Sequence, residues 1–224
     1  MRSLRSTVFL LLLGWAFVSA LAALFLRVWL RERQRRTVFP AGSASQLLNP
    51  MRGLLQPVRP TVELFRLEEG DTALEVGPGP GYFSIEASRV VGASGRVLCL
   101  DLQPGMASLL GERLRAARVQ NAQPLVGDAT RLPLADGSVD KAFLVAVRGE
   151  VPDRPAALAE LRRVLRHGGV LAFSETLTDP DYMFQDSLED LCRAFDFEPI
   201  ERKGSLLGYS MTFRAPGHHG RGAT

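Results

Sequence analysis

The chain of 224 residues is long enough for one domain with a buried core and a short appendage, and at 46% apolar and 23% charged it has the composition of a folded protein. Its net charge of +3 belongs to the first 36 residues, where seven arginines face Glu32 alone; the remainder is mildly acidic, which excludes a general nucleic-acid footprint. Cys99 and Cys192 lie far apart with no CxxC or Cys/His spacing, so neither a disulfide scaffold nor a zinc site is expected, and no other metal site is either.

The first element is VFLLLLGWAFVSALAALFL, Val8 to Leu26, without a charge. As a helix it approaches the roughly 30 Å of bilayer hydrocarbon. RVWLRERQRR follows, and only Arg2 and Arg5 precede. The positive-inside bias therefore predicts a single-pass anchor over residues 1–36 with the rest of the chain on the cytoplasmic side. A cleaved signal peptide, with Ala20-Leu21-Ala22 as its site, is the rival reading. Against it, the apolar run is long and the arginines lie on the wrong side. Residues 37–60 combine a linker (Pro40, Gly42, Ser43, Ser45) with a short amphipathic piece on which Met51, Leu54 and Leu55 share a face. That piece is expected to cap a pocket, rest on a membrane or simply pack on the domain.

From residue 61 helices and strands alternate. TVELFRL reads as a helix, DTALEVG as a strand, YFSIEASRVVG as a helix and GRVLCLDL as a strand. PGMASLLGERLRAARV is helical, AQPLVGDA and VDKAFLVAV are strands, and RPAALAELRRVLRHGG is a helix stopped by two glycines. VLAFSE is the fifth strand, DSLEDLCRAFDF a helix, and FEPIERKG and GYSMTFRAP are joined as a hairpin. The pattern predicts an α/β fold: a doubly wound, mainly parallel, seven-stranded Rossmann-like sheet closed by a C-terminal antiparallel hairpin, over residues 61–214. Residues 215–224 are expected to be a disordered tail.

The chemistry starts at EVGPGPG. Gly77, Gly79 and Gly81 occupy the turn from the first strand into its helix, where such sheets bind ligands. Without Cβ atoms that turn can be tight and lie against a ligand. A dinucleotide fingerprint G-x-G-x-x-G fails, because Tyr82 or Ser84 stands at the last position. Pro78 and Pro80 remove N–H donors that a phosphate cradle would use, and no Gly-Lys-Ser/Thr follows. Asp101, at the end of the second strand, is placed to accept hydrogen bonds from ribose hydroxyls. Asp128, at the end of the third, suits an exocyclic amine, although a lone acid there is often a turn or helix cap.

In order and spacing, EVGPGPG, VLCLD, VGDATRLPLADGSVD and ELRRVLRHGG resemble the motifs of class I S-adenosylmethionine-dependent methyltransferases, with the type 11, UbiE-like group nearest in flavour. The resemblance covers about residues 60–214. It implies S-adenosylmethionine as cofactor, with Glu75 and the glycine turn holding the methionine part, Asp101 the ribose, Asp128 beside the adenine, and Leu102 and Ala129 on its ring faces. His167 stands where the family has proline and reads as a turn substitution.

Methyl transfer from a sulfonium is an in-line displacement, so positioning is the protein's main task. VAVRGEVPD places Arg148, Glu150 and Asp153 at the reactive edge. Glu150 is the candidate catalytic carboxylate, and Asp153 fits a helix cap better. Specificity is expected from residues 40–60, the loop after the fourth strand and residues 176–186, where Tyr182, Met183 and Phe184 line a pocket or pack as a lid. With the anchor, the expected partner is a small-molecule or lipid acceptor at a membrane. Alternatives are an inactive, membrane-tethered cofactor-binding module, a nucleotide-sugar or dinucleotide enzyme, or a protein or RNA methyltransferase; the acidic domain disfavours RNA and N-P-P-Y is absent.

Overall fold

The computed structural model describes residues 14–28, 56–146, 151, 153–177, 179, 182–205 and 207–216. The chain divides into two units, Met1–Thr37 and Val38–Thr224. In the first, residues 14–28 form helix α1, and Trp15, Phe17, Val18, Leu21, Leu24 and Phe25 are all exposed. Among the described residues no helix is long and apolar enough to cross a membrane. The predicted span begins at Val8, outside them, as do most of the 37–60 segment and the tail from residue 217.

The second unit runs α2 (Val58–Glu63), β1 (Thr72–Val76), α3 (Ser84–Val91), β2 (Arg96–Asp101), α4 (Pro104–Ala116), β3 (Ala122–Val126) and β4 (Val139–Val145). It continues with α5 (Arg154–Val164), β5 (Leu165–Thr176), α6 (Gln185–Arg193), β6 (Glu198–Ser205) and β7 (Gly208–Arg214). The seven strands order as β3-β2-β1-β4-β5-β7-β6. Strands β1 to β5 are parallel, and β7 lies antiparallel between β5 and β6. The chain winds outward from β1 through β2 to β3, then restarts on the other side with β4. The gap between β1 and β4 is therefore the topological switch point, where such sheets bind ligands beyond their strand ends.

Alternation along the buried strands sorts the core into two layers. Ala73, Val97, Cys99, Phe143, Val145 and Ala172 face α2, α3 and α4 through Val62, Phe65, Ala87, Val91, Leu110 and Leu114. Leu74, Leu98, Leu144, Leu171, Phe173 and Phe213 face α5 and α6 through Leu158, Leu161, Leu188 and Cys192. Both cysteines are buried free thiols. Pro124 is tolerated in β3 because that strand is an edge with one free side.

One boundary differs from the sequence reading. Helix α5 ends at Val164, and Leu165-Arg-His-Gly-Gly is extended rather than helical. Leu165, 1% exposed, leaves the helix to pair with Val139, and pairing resumes only at Lys141 with Val170. The extra residues form a bulge in which Gly168 adopts φ 72 and Gly169 passes so near Asp140 that a Cβ would lie 2.8 Å from its carbonyl oxygen. His167 is exposed within it.

Phe143 on β4 is fully buried, with its ring stacked on Phe65 at 4.6 Å. Phe143→Ala is expected to destabilise the domain by about 3–5 kcal/mol, read as a lowered urea midpoint; an unchanged midpoint would show that the core is not organised around β4.

Candidate active site

The turn after β1 has the conformation the glycines suggested. Gly77, Gly79 and Gly81 adopt φ values of 68, 52 and 80. At Gly81 an added Cβ would meet Leu110 Cδ1 on α4 at 2.3 Å. Glycine is thus required there by packing as well as by dihedral. The Gly77 N–H donates to Leu100 O at 2.8 Å and the Gly81 N–H to Pro78 O at 2.9 Å, which closes the turn on itself.

Asp101 connects three loops. Its Oδ2 accepts from the Gly79 N–H at 3.2 Å, its Oδ1 from the Gln103 N–H at 2.9 Å, and its main-chain oxygen from the Gly127 N–H at 3.0 Å. The turn after β1, the start of α4 and the end of β3 therefore share one residue. Burial pushes the Asp101 carboxyl above the ordinary aspartate value of 3.8, while the Gln103 and Gly79 N–H groups pull it back down.

Glu75 is 2% exposed on β1. The Ser84 hydroxyl, at the start of α3, donates to its Oε2 at 2.5 Å, and the Cys99 thiol approaches the same oxygen at 3.9 Å. Burial, with the Glu75 charge second, raises the Cys99 thiol well above its usual range. Arg113 of α4 donates through Nη1 to Pro80 O, a clamp on the far side of the turn. Neither Ser84 nor Arg113 was singled out from sequence. A serine on the buried side of a helix that opens directly from a glycine turn is a readable signal; Arg113 carried none.

On the other side of Asp101, Leu102 is exposed and Ala129 buried, with Val126, also exposed, in register beside Asp101. These suit the faces of a flat apolar ring. Asp128 is exposed, and its Oδ1 caps the Thr130 N–H at 2.8 Å, the turn-capping role that a lone acid at a strand end often has. Asp153 caps α5 by accepting from the Ala156 N–H at 3.0 Å. Arg148 and Glu150 lie outside the described residues. Tyr182 is buried against Phe184 and Tyr209, each with ring centroids 5.6 Å away, whereas Phe184 is exposed. The groove of about 370 Å³ between α4 and β3, lined by Ala107, Gly111, Leu114 and Pro124, contains none of the residues of the glycine turn.

Residues 74–173 match the family model described as a methyltransferase domain. This domain match, together with the relatives and the fold likeness that follow, supports a class I S-adenosylmethionine-dependent methyltransferase of type 11. The ubiquinone/menaquinone biosynthesis C-methyltransferase UbiE of Klebsiella pneumoniae is 30% identical over 151 residues, 66% of this chain and 57% of that protein. The malonyl-[acyl-carrier protein] O-methyltransferase of Serratia marcescens is 42% identical over 106 residues, 47% of this chain and 38% of that one. The chain thus spans about half the length of the curated relatives it matches. A solved SAM-dependent methyltransferase from Aquifex aeolicus superposes with a TM-score of 0.74 at 21% identity, over 80% of this chain and all of that one, a likeness of fold.

S-adenosylmethionine is the cofactor of this methyltransferase family, and the residues present fit it. The three glycines of the turn carry no side chains and have positive φ, a buried carboxyl stands one strand away, and apolar side chains flank that carboxyl.

Two outcomes follow for the cofactor. Gly81→Ala forces a Cβ into Leu110 at φ 80 and is expected to weaken S-adenosylmethionine binding at least about tenfold, at a stability cost of about 1–3 kcal/mol; calorimetric affinity equal to wild type would show that the turn does not touch the cofactor. The raised pKa of Asp101 means that the cofactor-free fold is favoured by protonation and loses that contribution as pH rises through the raised value. The cofactor complex needs the carboxylate, so the rise in melting temperature on adding S-adenosylmethionine should shrink as pH falls, beginning above the ordinary value of 3.8. Asp101→Asn should abolish that pH dependence and weaken binding about 10–100-fold. A ligand shift independent of pH in the wild type would remove Asp101 from the cofactor site.

Proposed function

We propose that the chain transfers the methyl group of S-adenosylmethionine to a small, lipophilic acceptor at a membrane. The observation that carries the reading is the Asp101 junction: a carboxyl hydrogen-bonded to the Gly79 N–H, next to a turn whose glycines all have positive φ, at the switch point of the sheet. In this reading Glu75, Gly77, Gly79 and Gly81 hold the methionine part. Asp101 accepts from the ribose hydroxyls, and Leu102, Asp128 and Ala129 meet the adenine. The cofactor supplies a methyl group on a sulfonium, activated for in-line attack by a nucleophile. The chain's own residues fix its position and keep the end of β1 dry; Glu150, between β4 and α5 in sequence, remains the proposed acceptor-side carboxylate.

The acceptor class rests on two supports. The relatives named above are, by their names, methyltransferases of quinone biosynthesis and of a malonyl-acyl carrier. The uncharged run from Val8 to Leu26, backed by five arginines, suits an anchor with the domain on the cytoplasmic side. The catalytically inactive module and the protein or RNA methyltransferase stay as outcomes of the test.

Full-length chain in detergent micelles, given methyl-labelled S-adenosylmethionine and an organic extract of bacterial membranes, is expected to move label into the organic phase, with saturation as extract is added. Label appearing only on protein or RNA would redirect the reading to those acceptors. Cofactor binding without transfer to any of the three would make the chain a binding module.

A further inference from the structure

Gln56 and Ser174 form a buried polar pair that the cofactor site does not use. Each is 4% exposed, and the Gln56 Nε2 donates to the Ser174 Oγ at 3.3 Å across 118 residues of sequence. Ser174 lies near the carboxyl end of β5 and Gln56 directly precedes the helix-entry residue Pro57. Their place in the sheet is the informative point. Val76 pairs with Leu144, Leu144 with Phe173, and Val145 with Ser174. Continued by one residue, this register sets Gly77, Val145 and Ser174 in one row across β1, β4 and β5. Ala172 and Val145 belong to the layer that also holds Ala73 and Cys99, so Ser174 points to the Glu75 side of the sheet by alternation. Two interstrand spacings separate Gly77 from Ser174, about 10 Å.

The row passes over a strained point. Ala146, just after β4, adopts φ 53, a left-handed conformation that strains a non-glycine residue. Its N–H donates to the Ser174 main-chain oxygen at 3.0 Å. The chain thus leaves β4 sharply beside Ser174, at the ligand-binding edge.

We infer that Gln56 and Ser174 are the positioning residues for the acceptor, a subsite that takes a neutral keto or hydroxyl oxygen of its head group. The inference rests on the methyltransferase reading above and deepens it. Neither side chain is charged, and Val145 in the same row and Ala172 on the same face of β5 are apolar and buried. A carboxylate or phosphate would be desolvated there with no counter-charge from these four residues, which is costly. A keto oxygen accepts from the amide or the serine hydroxyl, and a hydroxyl donates to the amide oxygen. At 3.3 Å the existing bond is slightly longer than the usual range of about 2.7–3.2 Å, and a ligand oxygen in its place would satisfy the same groups.

The test uses full-length chain in micelles with labelled S-adenosylmethionine and the membrane extract as acceptor probe, for wild type, Gln56→Leu and Ser174→Ala. Calorimetric affinity for S-adenosylmethionine and the thermal midpoint are measured alongside. Both variants are expected to raise the half-saturating amount of extract about tenfold or more while the maximal rate and the cofactor affinity stay within about twofold. Wild-type saturation in both variants, or a loss of cofactor affinity or folding in step with rate, would overturn the inference and make the pair a structural tie. If wild type binds S-adenosylmethionine but labels nothing in the extract, the lipophilic-acceptor reading fails, and this subsite falls with it.

Discussion

Everything at the ligand edge hangs on a single aspartate. Asp101 ends β2, and through two side-chain oxygens and one main-chain oxygen it ties together the turn after β1, the entry to α4 and the exit from β3. The glycines need this tie. Their positive φ values describe a turn with little side-chain packing of its own, and Arg113, Leu110 and Asp101 hold it from outside. The burial that raises the Asp101 carboxyl toward its neutral form is the cost of placing it there, and hydrogen bonds to a bound ribose would offset it.

The sheet around this residue explains why the edge is so well defined. Five parallel strands end at one side, and the chain reverses its direction of winding between β1 and β4, the switch point at which such sheets bind ligands. The antiparallel β7, slotted between β5 and β6, extends the sheet on the side of Ser174 and brings Tyr209 against Tyr182. In the proposed reading, different parts of the chain set the two halves of the site: β1 to β3 the cofactor half, the end of β5 and the segment entering α2 the acceptor half.

Much of the fold was legible because its central strands β1, β2, β4 and most of β5 are buried on both faces and read as apolar runs between helical patterns. The hairpin was legible because two strand-like segments follow one another with no helix between. The bulge at Leu165 to Gly169 was not, because LRRVLRHGG keeps helical spacing, and only pairing with Val139 and the close pass by Asp140 decide against a longer helix. On the site, Gly77, Gly79, Gly81 and Asp101 announce themselves by spacing. Ser84 and Arg113 act through contacts 9 and 33 residues away in sequence, and Gln56 reaches 118 residues to Ser174; such pairings exist only once the sheet has formed. Asp128 shows the limit of strand-end reasoning, since in this structure its exposed carboxylate caps the Thr130 N–H.

The central claim is that the three loops joined at Asp101 form one cofactor cradle. Hydrogen–deuterium exchange of the full-length chain, with and without S-adenosylmethionine, tests it directly. The account predicts that the cofactor slows exchange in peptides covering residues 77–81, 101–104 and 127–130 together, and that Asp101→Asn speeds all three in its absence. Protection confined to the groove between α4 and β3, or to one of the three loops alone, would contradict it.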